Sequence, residues 1–313
     1  MSDLVVIGGS NMDVSGTPDG ELVAGESNPG RVRLSPGGVA RNVAEAAARL
    51  SVETTLITAV GEDLFGQIVL QSCSEAGVDV AWVIVSPDYP TSVYSSLLDQ
   101  GGDMAAAVSD MAVMAAIGPE TIGQYAEVLN SAEAILVDTN LERPALESLL
   151  TLDSRAPIFV DAVSAAKASR LTGVLAQVHT LKLNRHEAEV LTGLSLSGEA
   201  GLDADARDAA ADRLLEAGPE RVFLTLGSDG VFFADANGRG VIAAPEVQAV
   251  NANGAGDAGA AALVVGYLGG ESTETCARFC VAASTLAALA ERTIPEDLSM
   301  DALRKAMEDL HLA

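Results

Sequence analysis

Val250-Asn251-Ala252-Asn253-Gly254-Ala255-Gly256-Asp257-Ala258 leads into an apolar run from Gly259 to Leu268. The string reads as the end of a strand (Glu246 to Val250), a turn of small residues, and a buried helix, Ala-rich and apolar nearly all round, after Asp257. The first N–H groups of such a helix have no partners within it and carry the positive end of its dipole, so small residues leave an anion site there. A carboxylate at the rim is out of place if that site only binds phosphate. It fits if a hydroxyl must lose its proton beside a phosphoryl group in transfer. On this reading Gly254, Ala255 and Gly256 hold the transferred phosphoryl through their amides, and Asp257 is the base. The same residues also fit a plain strand-to-helix turn with Asp257 as a first-turn acid, since short glycine motifs recur by chance.

The surrounding chain of 313 residues is long enough for a large core, with 49% hydrophobic residues but only 4% aromatic, so Ala, Val and Leu must fill it. The expected class is an α/β fold, a doubly wound, mainly parallel sheet flanked by helices. The longest apolar run is too short to span a bilayer, and no secretion leader opens the chain; a cytoplasmic location is expected. The net charge of −26, with lysine only at 167, 182 and 305, speaks against nucleic acid or anionic membrane as partners. An anionic substrate must then be held by helix ends, a few cationic side chains and Mg²⁺. Cys73, Cys276 and Cys280 lack metal-ligand spacing and read as small core residues. His179, His186 and His311 are too scattered for a histidine-based metal site.

Working outward, Leu4-Val5-Val6-Ile7-Gly8-Gly9 is a continuous apolar strand, as in a sheet covered on both faces. At its C-terminal end, where open α/β sheets bind ligands, Asn11 and Asp13 are two apart and point the same way if extended. They can grip adjacent hydroxyls or form a polar turn. Val14–Pro36 is turn-rich with short strands. Gly37-Gly38 then opens a helix with Val39, Val43, Ala46, Ala47 and Leu50 on one face; the two glycines permit close approach of a ligand, and Asn42 can reach it. Thr54–Val60 and Val78–Val85 read as strands, and residues 90–110 as a hairpin around Gly101-Gly102. With 14–36 this hairpin forms a small β lid that excludes water. Farther on, strands end at Asp138 and Asp161, and Lys167 lies in the following helix. Asn184 caps a helix carrying Glu187, as a capping pair or as an outer anchor for Mg²⁺ waters. Val222–Gly230 is a strand and glycine turn that can cradle a nucleotide, and helices at about 274–291 and 299–310 close the chain.

Four strings in order over essentially the whole chain resemble the ribokinase-like (PfkB) carbohydrate kinases: Gly37-Gly38-Val39-Ala40-Arg41-Asn42, Asn184-Arg185-His186-Glu187, Thr225-Leu226-Gly227-Ser228-Asp229-Gly230 and Gly254-Ala255-Gly256-Asp257. Further strings, among them Ser27-Asn28-Pro29-Gly30, Asp138-Thr139-Asn140-Leu141 and Thr293-Ile294-Pro295, look like the pseudouridine kinases within that family. The resemblance implies one ribokinase-like domain over 1–313, with lid segments at about 14–36 and 91–110. It implies ATP-dependent phosphorylation of the 5′-hydroxyl of a pseudouridine ribose, with Mg²⁺ and K⁺ as cations.

Carried over by motif, Asp257 is the base and Gly254, Ala255 and Gly256 the anion hole. Asn11, Asp13, Gly37, Gly38 and Asn42 hold the ribose. Asn140 and Lys167 flank the acceptor, and Ser92 and Tyr94 meet the base from the lid. Thr225, Gly227 and Gly230 flank ATP, with Asn184 and Glu187 beside the phosphates, Glu187 reaching Mg²⁺ through water. An exposed lid edge can pair two copies into a homodimer. The sequence departs from the family at Asn251-Ala252, where many of its sugar kinases have Asp-Thr; the loop thus lacks a carboxylate for K⁺. Gly259 and Leu183 also stand where a larger residue and a proline are frequent. Two other functions compete: the same chemistry on another nucleoside or a free sugar, and a non-catalytic ligand sensor on the same fold.

Overall fold

Leu4, Val5, Val6 and Ile7 are fully buried, Leu4 and Val6 against one layer and Val5 and Ile7 against the other. Side chains alternate across a strand, so an unbroken apolar run needs cover on both sides. The computed structural model of the protein describes residues 2–198, 201–251 and 253–310; Ala252 and His311 lie outside them. In chain order the elements are β1 (Leu4–Ile7), β2 (Asn11–Pro18), β3 (Gly30–Gly37), α1 (Val39–Arg49), β4 (Thr54–Ile57), β5 (Ala59–Gly61), α2 (Leu64–Glu75), β6 (Ile84–Ser86), β7 (Val93–Leu98), β8 (Met104–Asp110), α3 (Pro119–Gln124), α4 (Ala126–Ser131), β9 (Ala134–Asp138), α5 (Arg143–Leu150), β10 (Ile158–Asp161), α6 (Ala165–Ala168), β11 (Thr180–Asn184), α7 (Arg185–Thr192), β12 (Ser197–Gly198), β13 (Gly201–Leu202), α8 (Ala204–Glu216), β14 (Arg221–Thr225), β15 (Val231–Asp235), β16 (Gly238–Ile242), α9 (Ala255–Leu268), α10 (Thr273–Ala288) and α11 (Met300–Asp309).

Eight strands form the main sheet in the order β16-β15-β14-β11-β10-β9-β1-β4. Pairing is parallel from β14 to β4 and antiparallel for β14–β15 and β15–β16. Helices α1, α9, α10 and α11 pack on one face, and α3 to α8 on the other. The C-terminal ends of the parallel strands therefore meet the starts of α1 and α9 along one edge of the sheet. A second sheet, β3-β2-β7-β8, stands beside that edge. Its register places Asp13 beside Tyr94 on one face, and Val14 beside Leu34 on the opposite, largely apolar face. That face is open to solvent away from α2, with Val32 and Val108 each 70% exposed.

Several boundaries differ from the reading of the sequence. Glu246–Val250 is not a strand: β16 ends the sheet at Ile242, and Val250 instead donates its N–H to Ala288 O (2.8 Å). Val78–Val85 contains only one isolated bridge, Thr55 with Asp79, before the short β6. Thr54–Val60 breaks at Thr58, whose hydroxyl turns to Gly8 O (2.7 Å). Helix α9 begins two residues before Asp257, and β2 already at Asn11, which puts Asn11 and Asp13 on the second sheet rather than on the end of β1. Helices α3, α4 and α8 and strand β16 carried no expectation. Among the described residues no helix is long and apolar enough to cross a membrane, and all three cysteines are buried and free.

Candidate active site

Asp138, Asp161 and Lys182 are neighbours in register at the ends of β9, β10 and β11. They share the parity of Leu136 and Phe159, so all three point to the α1/α9 side. Lys182 Nζ donates to Asp161 Oδ2 (2.8 Å). Burial works against the Lys182 ammonium, but the Asp161, Asp257 and Glu187 carboxylates together more than offset it and hold the lysine charged. Asp138 is fully buried and accepts from the N–H groups of Gly9 (2.9 Å), Ala40 (2.9 Å) and Asn140 (2.8 Å). One carboxylate thus ties the end of β1 to the first turn of α1.

The start of α9 is different. Gly254 is its N-cap, left-handed at φ 81°, and provides no side-chain cap. Asp257, in the first turn, is half-buried, and its Oδ2 accepts from Asn42 Nδ2 on α1 (2.8 Å). The carboxylate is turned to the neighbouring helix α1. Burial and the Asp161 charge push its pKa up to about 6, against the Lys182 charge and the Asn42 hydrogen bond, with a smaller upward push from Asp138. A Cβ added at Gly256 would lie 3.2 Å from Lys182 Nζ, so the ammonium sits against the uncapped turn. A cation beside the positive end of a helix is unfavourable unless an anion lies between them.

On β2 of the second sheet, Asn11 Nδ2 donates to Asp13 Oδ1 (2.6 Å). Burial raises the Asp13 pKa, opposed by that bond and the Arg41 charge. The room left by Gly37 and Gly38 is taken by the protein itself. A Cβ at Gly37 would lie 2.1 Å from Asp13 Oδ2, and one at Gly38 2.5 Å from Gly9 O. Glycine is therefore required at both positions by the close approach of Asp13 and the Gly9-Ser10 backbone. Asn140 packs against Gly9, and its Oδ1 accepts from Lys167 Nζ, whose pKa is lowered by burial. Ser92 is buried with no partner for its hydroxyl among the described residues, and the Tyr94 hydroxyl contacts Met104 Sδ (3.2 Å). Ser92 and Tyr94 share a face with Asp13, and among the described residues neither bonds to the Asp257 cluster.

On the far side, Asn184 and Glu187 form a reciprocal capping box at the start of α7: Glu187 N donates to Asn184 Oδ1 (3.0 Å), and Glu187 Oε2 accepts from Asn184 N (2.7 Å). Thr225 pairs in register with Asn184. Gly227 and Gly230 are left-handed (φ 63° and 101°), and a Cβ at Gly230 would strike Ile242 O. Both turn residues are thus required by the backbone. Among the described residues no three His, Cys, Asp or Glu side chains can hold a metal ion alone. Asn184 Nδ2 also donates to Glu187 Oε1 (2.6 Å), so each oxygen of the pair already accepts one bond and only second lone pairs could meet the water shell of a Mg²⁺ carried by phosphates. A K⁺ site fits less well, because Asn251 Oδ1 is already taken by Asn253 N (2.9 Å).

Asp138, Asp161 and Lys182 escaped the sequence reading as site residues. A signal existed: lysine inside Thr180-Leu181-Lys182-Leu183, a strand buried on both faces, requires a buried anion. Which anion depends on strand order.

Residues 1–298 match the family model described as pfkB family carbohydrate kinase. The chain is 38% identical over 298 residues, 95% of this chain and 94% of the other, to a protein of Escherichia coli K12 named pseudouridine kinase. A solved structure of a carbohydrate kinase from Agrobacterium tumefaciens superposes with a TM-score of 0.85 at 26% identity, covering 98% and 97% of the two chains. Arabidopsis thaliana ribokinase, solved with ribose and ATP, superposes with a TM-score of 0.87 at 21% identity over 98% and 99%, a likeness of fold.

Proposed function

The chain belongs to the pfkB family of carbohydrate kinases, ATP-dependent phosphotransferases with an alcohol as acceptor, and from that premise we propose that its acceptor is the ribose 5′-hydroxyl of pseudouridine. The observation that carries this reading is the Asp257 carboxylate, turned away from its own helix at the mouth of an uncapped turn. Asn11, Asp13 and Asn42 orient the ribose, with Asn140 and Lys167 beneath it. Asp257 takes the hydroxyl proton; with a pKa of about 6 it is mostly ionised at neutral pH yet basic enough to accept it. The amides of Gly254, Ala255 and Gly256, aided by Lys182, receive the spreading charge of the transferred phosphoryl. Asn184 and Glu187 would hold Mg²⁺ through water, and the ion would neutralise phosphate charge. Thr225, Gly227 and Gly230 border the nucleotide.

The sheet β3-β2-β7-β8 serves as a lid on one kinase domain, presenting Ser92 and Tyr94 to the nucleobase and excluding water. Its open edges and outward apolar face offer the contact for a second copy. The likeness to a pseudouridine kinase supports this choice of acceptor over a free sugar.

Initial-rate ADP release with pseudouridine, uridine, adenosine and ribose tests the proposal. Pseudouridine should exceed the others in kcat/KM by about 100-fold or more, as expected where buried polar groups read a substrate. A preference for another acceptor would reassign the substrate within the family. ADP release with none of them would remove the reading of the site.

A further inference from the structure

Arg41 stands beside the proposed base without touching it. Its Nη1 donates to Asn42 Oδ1 (3.0 Å), while Asn42 Nδ2 donates to Asp257 Oδ2 (2.8 Å). A primary amide has a donor end and an acceptor end of nearly the same shape. Turned one way, Asn42 donates to the carboxylate; turned the other way, it sets a carbonyl oxygen against it. A guanidinium only donates, so it tolerates the first arrangement alone.

Adjacent residues on a helix do not face each other, and this contact exists because the guanidinium is bent back. Glu45 bends it: Oε2 pairs closely with Arg41, and Oε1 is occupied by Arg49 Nε (2.9 Å) and Nη2 (2.7 Å). Ser72 Oγ on α2 accepts from the other side (3.3 Å). Arg41, Asn42 and Glu45 are only 5%, 4% and 6% exposed. A buried ion pair is no more stabilising than apolar side chains of equal volume, and this one leaves Arg41 Nε buried with no partner among the described residues. Stability alone is therefore a weak reason for the arrangement.

We infer that Arg41 is a positioning residue for Asp257: it fixes the direction of the Asn42 amide so that Asn42 donates to the carboxylate and never opposes it with a carbonyl. This rests on the proposed role of Asp257 as base. The other groups facing Asp257 are Asp161 from β10, Lys182 from β11 and Asp138 from β9. Deeper in α10, Cys280 is pushed up to about 11 by burial and stays neutral. None of these depends on the amide's direction. The Asn42 bond lowers the Asp257 pKa, so losing it must move the midpoint upward.

The test uses Arg41→Gln, whose side chain can donate or accept, and Arg41→Lys, which can only donate. The carboxyl ¹³C resonance of Asp257, assigned by its loss in Asp257→Asn, is followed against pH in the full-length protein. Arg41→Gln should raise the midpoint from about 6 to about 7 and lower kcat at pH 6.5 several-fold with the KM for ATP unchanged. Arg41→Lys should restore both. In an Asn42→Leu background, Arg41→Gln should add no further shift. An unmoved midpoint in Arg41→Gln, or an equal shift in both backgrounds, overturns the inference. If Arg41→Gln does not fold, Glu45→Gln, which frees the guanidinium, should move the midpoint the same way, and no movement there overturns it equally. Near-normal turnover in Asp257→Asn would defeat the base assignment, while the titration would still decide whether Arg41 directs the amide.

Discussion

Helices α1 and α9 start alike and are used in opposite ways. Each follows a glycine with positive φ, Gly38 at 100° and Gly254 at 81°, and neither glycine supplies a side-chain cap. At α1 the buried Asp138 carboxylate takes the Ala40 N–H, and Asp13 and the Gly9-Ser10 backbone fill the space beside the glycines. At α9, among the described residues, no side chain accepts from the first amides, and the nearby Asp257 carboxylate bonds to Asn42. A glycine-rich helix entry is therefore not a ligand site in itself. What decides is whether the protein's own acid has already taken the amides.

Substitutions at the two starts should separate chemistry from architecture. The largest effect belongs to Asp257→Asn, which should cut kcat by about 1,000-fold while calorimetric binding of ATP is kept; near-normal turnover would leave Asp257 as a plain helix acid. Next comes Gly38→Ala. Its Cβ would lie 2.5 Å from Gly9 O at a positive φ, and urea titration should show a loss of about 3 kcal/mol or more. Gly256→Ala should behave oppositely. Its Cβ meets only the flexible end of Lys182, and alanine is favoured in a helix by up to about 1 kcal/mol, so Tm should hold or rise while kcat falls about tenfold. An equal loss of stability at both glycines would erase the distinction.

The smallest effect near neutrality is that of pH. The active base is ionised, so kcat/KM should be level above pH 7 and fall on the acid side with a midpoint about 6; a midpoint near 4 would mean that burial and Asp161 do not act on the base. The same shift has a sign for stability. The folded pKa lies above the unperturbed 3.8, so ionised Asp257 costs stability, and its contribution improves as pH falls through about 6 toward 4.

Elements whose pattern repeats locally were legible in the sequence. The apolar strands β1, β9 and β10, the amphipathic α1 and the glycine turn before α9 all follow from periodicity or small-residue spacing. Elements that depend on partners were not. Glu246–Val250 has strand-like residues but no neighbouring strand, and β16 pairs with β15 despite two glycines in Gly238-Arg239-Gly240. The site divides in the same way. Asp257 and Asn42 stand in recognisable strings, but their contact spans 215 residues. Asp138, Asp161 and Lys182 become one cluster only when β9, β10 and β11 lie side by side. The bond from Arg41 to Asn42 joins adjacent residues of one helix, where helical periodicity places no contact.

The most direct measurement compares both helix starts in one sample. Amide ¹H–¹⁵N resonances are recorded before and after adding Mg²⁺, ADP, aluminium fluoride and pseudouridine, a mimic of the phosphoryl group in transfer. Large shifts at Ala255 and Gly256, with Ala40 unmoved, are predicted, because Asp138 already holds the Ala40 N–H (2.9 Å), whereas among the described residues no side chain accepts from the Ala255 and Gly256 N–H groups. Movement at Ala40 with Ala255 and Gly256 unchanged would contradict the assignment of the phosphoryl site to α9.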